Sequence, residues 1–161
     1  MPSFAGFVPT SDENIDIFLA LAGVSSSDVV YDLGSGDGKL LFAALDKGAR
    51  KAVGVELDPE LVRSARETAR NKGLEERVTF LEDDVMAVPL TEASIVLCYL
   101  GFHASEALKP KFEAELEPAT RVVMESFPVP GWESARSTVL DMGCCGHTWF
   151  YLYIMPPHIK E

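Results

Sequence analysis

The stretch that most constrains the fold is residues 29–39, Val-Val-Tyr-Asp-Leu-Gly-Ser-Gly-Asp-Gly-Lys. Its first five residues are mostly β-branched, aromatic or aliphatic, which is the composition of a buried strand. Three glycines at alternate positions follow, and the apolar residues after them open a helix. A strand, a glycine turn and a helix are the first unit of a parallel α/β sheet, in which the turn leaves backbone N–H groups open to a ligand.

The acidic residues of this turn indicate what kind of ligand it binds. A dinucleotide-binding turn has the pattern G-x-G-x-x-G, whereas here the third glycine comes one residue early and Lys39 takes its place. Asp32 and Asp37 flank the turn, and carboxylates there repel a pyrophosphate. S-adenosylmethionine suits such a turn because it carries an ammonium and a sulfonium, and NAD does not. The alternative is a glycine turn of purely structural use.

Acidic positions after the next two predicted strands extend this site towards an adenosine. Residues 52–57 predict a second strand that places Glu56 about 20 residues after the glycine turn, where an acidic residue receives a ribose hydroxyl pair. The third predicted strand ends in Asp83, Asp84 and Val85. The carboxylates can accept from an adenine amino group, and the Val85 N–H can donate to the ring. Alternatively, the two aspartates cap the next turn.

The rest of the chain predicts a mixed sheet in a single domain of residues 1–161, of which residues 1–24 form an N-terminal flap and helix. The predicted ranges are 93–100 and 120–125 for the fourth and fifth strands, 104–117 for a helix interrupted at Pro110, and 137–142 with 148–154 for an antiparallel hairpin. The result is an α/β fold with a mostly parallel central sheet, one reversed strand and helices on both faces. This is the Rossmann-like arrangement of the class I methyltransferases.

Charge and composition narrow the partners and the compartment. The formal charge of −11 argues against nucleic acid and favours a basic partner, although solubility alone also explains it. No apolar run approaches the roughly 20 residues of a membrane span and no signal peptide is evident, so we expect a cytoplasmic protein with no membrane insertion. The three cysteines fit a reducing compartment. We interpret Cys144, Cys145 and His147 as a hairpin turn rather than a metal site.

Two segments are unusually apolar for loops. Residues 4–9, Phe-Ala-Gly-Phe-Val-Pro, precede a predicted helix over 11–22, at whose start Thr10 and Glu13 have the form of a capping box. Residues 127–132, Phe-Pro-Val-Pro-Gly-Trp, cannot be a helix. We predict that Phe7 and Trp132, from these segments, line an entry channel for a methyl acceptor. The alternative is that both cover an edge of the core.

Together these motifs resemble one group of class I, seven-strand protein lysine methyltransferases. The segments that carry the resemblance are Phe7-Val8-Pro9-Thr10, Asp32-Leu33-Gly34-Ser35-Gly36-Asp37-Gly38, Val53-Gly54-Val55-Glu56-Leu57 and Phe127-Pro128-Val129-Pro130-Gly131-Trp132. The group has archaeal broad-specificity members and mitochondrial members that modify the c-subunit of ATP synthase, and it is more distantly similar to the nucleosome-core lysine methyltransferase. The resemblance implies that S-adenosylmethionine is the cofactor and a protein the substrate.

The resemblance also implies roles for individual residues. Asp32, Gly34 and Gly36 hold the methionine end, Glu56 the ribose and Asp84 the adenine. The predicted cofactor-binding set is completed by Thr10, Ser35, Leu57, Asp83 and Val85, and no metal is required.

The predicted catalytic residues are Tyr99, which the resemblance places beside the reacting methyl, together with Phe7 and Trp132. A channel of these rings and Phe102 desolvates a lysine ammonium, so that its proton can leave through water without a dedicated base. A small-molecule methyltransferase is the main alternative, and a nucleic-acid methyltransferase is disfavoured by the charge and by the absence of a proline-rich turn after the fourth strand.

Overall fold

The computed structural model describes residues 9–161, and the first eight residues, which include Phe7, lie outside the described part of the chain. The first five strands are β1 (Val29–Leu33), β2 (Lys51–Glu56), β3 (Val78–Glu82), β4 (Ile95–Cys98) and β5 (Arg121–Glu125). The α-helices are α1 (Asp12–Ala22), α2 (Lys39–Asp46), α3 (Pro59–Asn71) and α4 (Phe102–Glu115). The C-terminal part contains β6 (Trp132–Glu133), β7 (Arg136–Asp141), a 3₁₀ turn (Gly143–Cys145), β8 (His147–Ile154) and β9 (His158–Ile159).

One seven-stranded sheet, in the order β3-β2-β1-β4-β5-β8-β7, organises the fold. Strands β1 to β5 are parallel, whereas β8 runs antiparallel to both β5 and β7. The predicted fold class and the C-terminal hairpin are therefore confirmed. The strand order turns back at β1, since β2 and β3 lie on one side of it and β4 and β5 on the other. In open α/β sheets, ligands bind at the carboxyl edge beside such a switch point.

Helices cover both faces of this sheet, because alternate residues of its central strands are apolar in both directions. Val30, Leu97 and Val123 belong to the cluster that packs beneath α1, α2 and α3. Their chain neighbours, such as Tyr31 and Val96, belong to the cluster beneath α4. Every residue of β1 is buried, as expected for a strand with helices on both faces.

Two helices differ from their predicted form. α1 is capped by Ser11, whose side chain accepts from the Asn14 N–H at 3.2 Å, so the predicted role of Thr10 as the cap is wrong. The helix predicted to break at Pro110 runs through that residue. A proline removes one N–H donor, and burial of the apolar face of α4 offsets that loss.

A partly buried ion pair at the amino edge of the sheet, which we call the amino-edge clamp, joins three elements. The Arg121 guanidinium, at the start of β5, binds the Asp28 carboxylate just before β1 and donates to the carbonyls of residues 22 and 23 at the end of α1. Burial opposes ionisation of Asp28, but hydrogen bonds from Ser25 and Ser94 and the charge of Arg121 hold its pKa below the ordinary value. This clamp lies at the edge opposite the glycine turn.

Over residues 9–161, no helix combines the length and the apolar character needed to span a membrane.

Candidate cofactor and active site

The glycine turn lies between β1 and α2, against the end of β2. The N–H groups of Gly34 and Ser35 donate to the Val55 carbonyl at 2.8 and 3.0 Å, so the turn is fastened to β2. Gly34 has φ +85°, and a Cβ there would lie 2.3 Å from Leu100 Cδ2. On the facing strand, a Cβ on Gly54 would lie 2.5 Å from Ser35 Oγ. Larger residues would therefore push the turn away from the sheet edge.

Glu56 closes one side of this turn, as its position at the end of β2 predicts. Its Oε2 accepts from the Gly36 N–H at 3.0 Å and its Oε1 accepts from the Asp58 N–H at 3.2 Å. The adjacent Leu57 is exposed. The carboxylate is thus held by two backbone donors at the mouth of the turn, where a ligand's hydroxyl pair can meet it.

Asp32 is a buried carboxyl group to which no side chain or N–H of residues 9–161 donates a hydrogen bond. Burial raises its pKa, and the nearby carboxylates of Glu56, Asp37 and Glu125 raise it further, to about 8. The closest lysine along the chain, Lys39, pairs instead with Asp12 at 2.8 Å in an exposed bridge. A cationic ligand beside Asp32 would relieve this repulsion among carboxylates.

The residues after β3 lie next in line along the sheet edge. The Asp83 N–H donates to the Glu56 carbonyl at 3.1 Å, which ties the ends of β2 and β3 together. Asp84 Oδ1 accepts from the Met86 N–H at 2.9 Å, so Asp84 caps the following turn, the alternative role considered for it. Val85 has a buried side chain, and its N–H donates to no acceptor in the described part of the chain.

The predicted cofactor-binding residues are thus brought together in the order of the strands. Asp84, Glu56 and Asp32 follow β3, β2 and β1 or lie at their ends, and neighbouring strands are about 4.8 Å apart. Thr10 is half-buried just before α1. Their individual contacts with a ligand remain predictions.

Of the predicted catalytic residues, Tyr99 alone is seen at this edge. It directly follows β4 and is 36% exposed, and Phe102, at the start of α4, is 51% exposed. Phe7 lies outside the described residues.

The structure corrects the prediction for Trp132, which is 0% exposed. Its ring contacts Phe112 and Tyr153, with ring centroids 6.3 and 5.4 Å away, and its Nε1–H donates to Glu113 Oε1 at 3.2 Å. Trp132 is therefore a core residue beneath α4 rather than the wall of an open channel. The chain turns at Gly131, which has φ +79°, and this brings the indole under the helix.

Sequence reasoning missed two polar residues on the same face of the sheet as Asp32. They are Glu125 at the end of β5, whose charge raises the pKa of Asp32, and Asn14 in α1, which donates to Glu125. The signal was present, since each is a polar residue within an otherwise apolar face of its element.

Comparison with known proteins decides the family, because residues 32–136 match the model described as the ANTKMT methyltransferase domain. The chain belongs to this methyltransferase family. The methyltransferase is 38% identical over 153 residues to a protein-lysine N-methyltransferase of Saccharolobus islandicus, with 94% of each chain covered. It is 35% identical over 127 residues to the adenine nucleotide translocase lysine N-methyltransferase of Mus musculus, which covers 79% of this chain but only 55% of that relative.

Solved structures agree with this assignment. The methyltransferase superposes with a TM-score of 0.87, at 35% identity over 96% of its length and 97% of the other chain, on a structure described as an RNA methyltransferase from Salinibacter ruber in complex with S-adenosyl-L-homocysteine. The predicted family, enzyme class and cofactor are thereby confirmed. When bound, S-adenosylmethionine supplies an electrophilic methyl group on its sulfonium. The acidic groups around the glycine turn fit this cation, and Glu56 fits its ribose.

Replacing Glu56 tests the ribose end of the site. Glu56→Ala is expected to weaken S-adenosylhomocysteine binding by about 1–3 kcal/mol, roughly 5- to 150-fold, because hydroxyls that it would bind are left unpaired. Isothermal titration calorimetry measures this directly. Glu60→Ala is the matched control, since Glu60 lies on α3 in an exposed bridge with Arg63. An affinity equal to that of the control would remove Glu56 from the site.

Proposed function

We propose that this methyltransferase modifies lysine side chains of a basic protein substrate, in the cytoplasm. The observation that carries the proposal is the similarity over 94% of both chains to a protein-lysine N-methyltransferase. The relatives named for translocase and for ATP synthase subunit c carry the same activity in their names.

The geometry of the edge supports a lysine acceptor. Tyr99 and Phe102 present exposed rings beside the switch point, and ring faces attract an ammonium. Two buried carboxyl groups, Asp32 and Glu125, lie at the ends of β1 and β5 on either side of β4, and each becomes negatively charged when it ionises. A cationic side chain is thus attracted to the edge where the methyl group is transferred, and a chain of net charge −11 favours encounter with a basic protein.

RNA methylation is the second candidate, because the neighbouring structure from Salinibacter ruber is described as an RNA methyltransferase. The net charge of −11 opposes it, since phosphates are repelled by such a surface.

One labelling experiment separates these substrates. The purified enzyme is incubated with S-adenosylmethionine carrying a tritiated methyl group and a lysate of its own cells. We expect label in material that resists ribonuclease, is digested by protease and yields methyllysine on hydrolysis. Prior acetylation of lysines should abolish the label. Label released by ribonuclease would establish the RNA alternative, and label confined to the filtrate of a small-pore membrane would establish a small-molecule acceptor.

A further inference from the structure

Two buried polar side chains, one from α1 and one from the end of β5, meet on the face of the sheet that carries Asp32 and leave part of their hydrogen-bonding capacity unused. Asn14 Nδ2 donates to Glu125 Oε1 at 2.7 Å. The two residues are 9% and 4% exposed. Their other oxygen atoms, Asn14 Oδ1 and Glu125 Oε2, are buried and have no partner within residues 9–161. Buried polar atoms without partners are uncommon in folded proteins, so this pair calls for a physical reason.

The two unpartnered atoms belong to the same pair, which suggests that Glu125 carries a proton. A carboxylic acid and a primary amide can bind each other twice, since the acid donates its O–H and the amide its N–H. With a proton on Oε2, Glu125 can donate to Asn14 Oδ1 while it still accepts from Nδ2. Both orphaned oxygens are then satisfied by one proton. After ionisation, Glu125 Oε2 instead requires a donor from elsewhere, and an ammonium is such a donor.

The register of the sheet places Glu125 on the acceptor side of the site. Asp32 pairs with Leu97 and Leu97 pairs with Val123, so these three residues are level across β1, β4 and β5. Glu125 lies two residues nearer the carboxyl edge than Val123 and on the same face of the sheet. Tyr99 directly follows β4, the strand that lies between β1, which carries Asp32, and β5, which carries Glu125. The predicted cofactor-binding residues lie at or after the ends of β3, β2 and β1. The carboxyl ends of β4 and β5 therefore remain available for the methyl acceptor.

The groups around Glu125 make its carboxyl an effective proton acceptor near neutral pH. Burial raises its pKa to about 7, although the hydrogen bond from Asn14 opposes this. The other groups around it are Phe150, its partner on β8, and the carboxyl group of Asp32 on β1, which in turn interacts with the carboxylates of Asp37 and Glu56. Among the described residues, these neighbours include no cation. A carboxyl group in such surroundings gains a proton from an ammonium more readily than one in water.

We propose that Glu125, positioned by Asn14, accepts the proton of the acceptor lysine ammonium before methyl transfer. This inference rests on the proposed function. The N–H bond of the ammonium breaks, its electron pair stays on nitrogen, and the proton binds Glu125 Oε2, which then donates to Asn14 Oδ1. The freed pair forms the bond to the methyl carbon as the carbon–sulfur bond breaks, with its electrons left on sulfur. The Glu125 proton passes to water when the product leaves. A dedicated proton acceptor thus replaces the water-mediated loss expected from the sequence.

Glu125→Gln is the decisive variant, because an amide keeps the shape and can still bind Asn14 twice but cannot accept a proton. We expect kcat for a lysine-containing protein substrate to fall about 100-fold at pH 7. In the wild type, kcat/KM plotted against pH should have a rising limb near pH 7. This rising limb should be absent in Glu125→Gln. Affinity for S-adenosylhomocysteine should stay within twofold. Glu106→Gln, an exposed change on α4, is the matched control.

A readout independent of activity accompanies this variant. In the wild type, protonation of Glu125 contributes stability that is lost as pH rises through 7, because the pKa in the folded state lies above its ordinary value. Because glutamine does not titrate, the melting temperature of Glu125→Gln should fall less than that of the wild type as pH rises through 7. Asn14→Ala provides a second test, because it keeps the carboxyl group and should displace the rising limb without removing it.

Three results would overturn the proposal. One is a Glu125→Gln enzyme that keeps more than half of the wild-type kcat. Another is an unchanged rising limb. The third is a loss of S-adenosylhomocysteine affinity that matches the loss of activity, because Glu125 would then bind the ammonium of the cofactor's methionine end.

Discussion

Asp32→Asn is expected to weaken S-adenosylmethionine binding about 100-fold. The wild-type carboxyl group is buried beside the glycine turn, and an asparagine of the same shape cannot offer a negative charge to the cationic ligand. Removing one partner of a desolvated charge pair costs about 2–5 kcal/mol. Calorimetry at pH 8 measures the loss, and Asp46→Asn, an exposed change at the end of α2, is the control.

The same variant should have an opposite effect on the ligand-free protein. The pKa of Asp32 in the folded state is about 8, above its ordinary value of 3.8, so the folded chain holds a proton that the unfolded chain has released. The associated stability is complete below pH 4 and is lost as pH rises through 8. Asparagine does not titrate, so Asp32→Asn should melt at a higher temperature than the wild type at pH 9 and should lack part of the decline in stability between pH 4 and 8.

Ligand affinity and stability therefore depend on pH in opposite directions in the wild type. S-adenosylmethionine affinity should rise between pH 6 and 9 as Asp32 ionises, whereas the variant should show a weaker dependence. A variant that binds within threefold of the wild type, with the same dependence on pH, would remove Asp32 from the site.

Trp132→Ala is expected to lower the free energy of unfolding by about 3–5 kcal/mol, because it leaves a cavity beneath α4 between Phe112 and Tyr153. The melting temperature should fall by about 10 °C for a chain of this size. Urea denaturation followed by fluorescence or circular dichroism measures the change. Trp132→Phe should lose less stability, since it keeps an aromatic ring and gives up only part of the packing and the hydrogen bond to Glu113.

Phe102→Ala provides the contrasting control. Its ring is 51% exposed, so stability should change by less than about 0.5 kcal/mol while methyl transfer to protein falls. If Trp132→Ala instead kept its stability and lost methyl transfer, the result would support the channel role that the sequence predicted for Trp132.

The features predicted correctly from the sequence depend on local physics. The glycine turn, the strand before it and the hairpin each follow from residues within about a dozen positions, where backbone preferences and hydrophobic alternation act directly. Glu56 could be predicted because its distance from the turn along the chain is set by one helix and one strand of ordinary length.

The features that escaped prediction depend on contacts between distant residues. Asn14 and Glu125 are 111 positions apart, and no local pattern pairs an amide in a helix with a carboxyl at the end of a strand. Trp132 follows an apolar loop whose composition is the same whether the ring faces a ligand or the core. Only the packing of α4 above the strands decides between these two positions.

The position of the amino-edge clamp allows stability and acceptor preference to evolve separately in this enzyme. Asp28 and Arg121 fasten α1, β1 and β5 together at the amino edge of the sheet, whereas the residues that we propose to contact the acceptor lie at the carboxyl edge. Substitutions of Tyr99 and Phe102 are then expected to alter which protein is modified while the clamp stays intact. Within such a lineage, acceptor preference should diverge faster than thermal tolerance, and a chimaera that exchanges only carboxyl-edge loops should inherit the specificity of the loop donor and the melting behaviour of the scaffold.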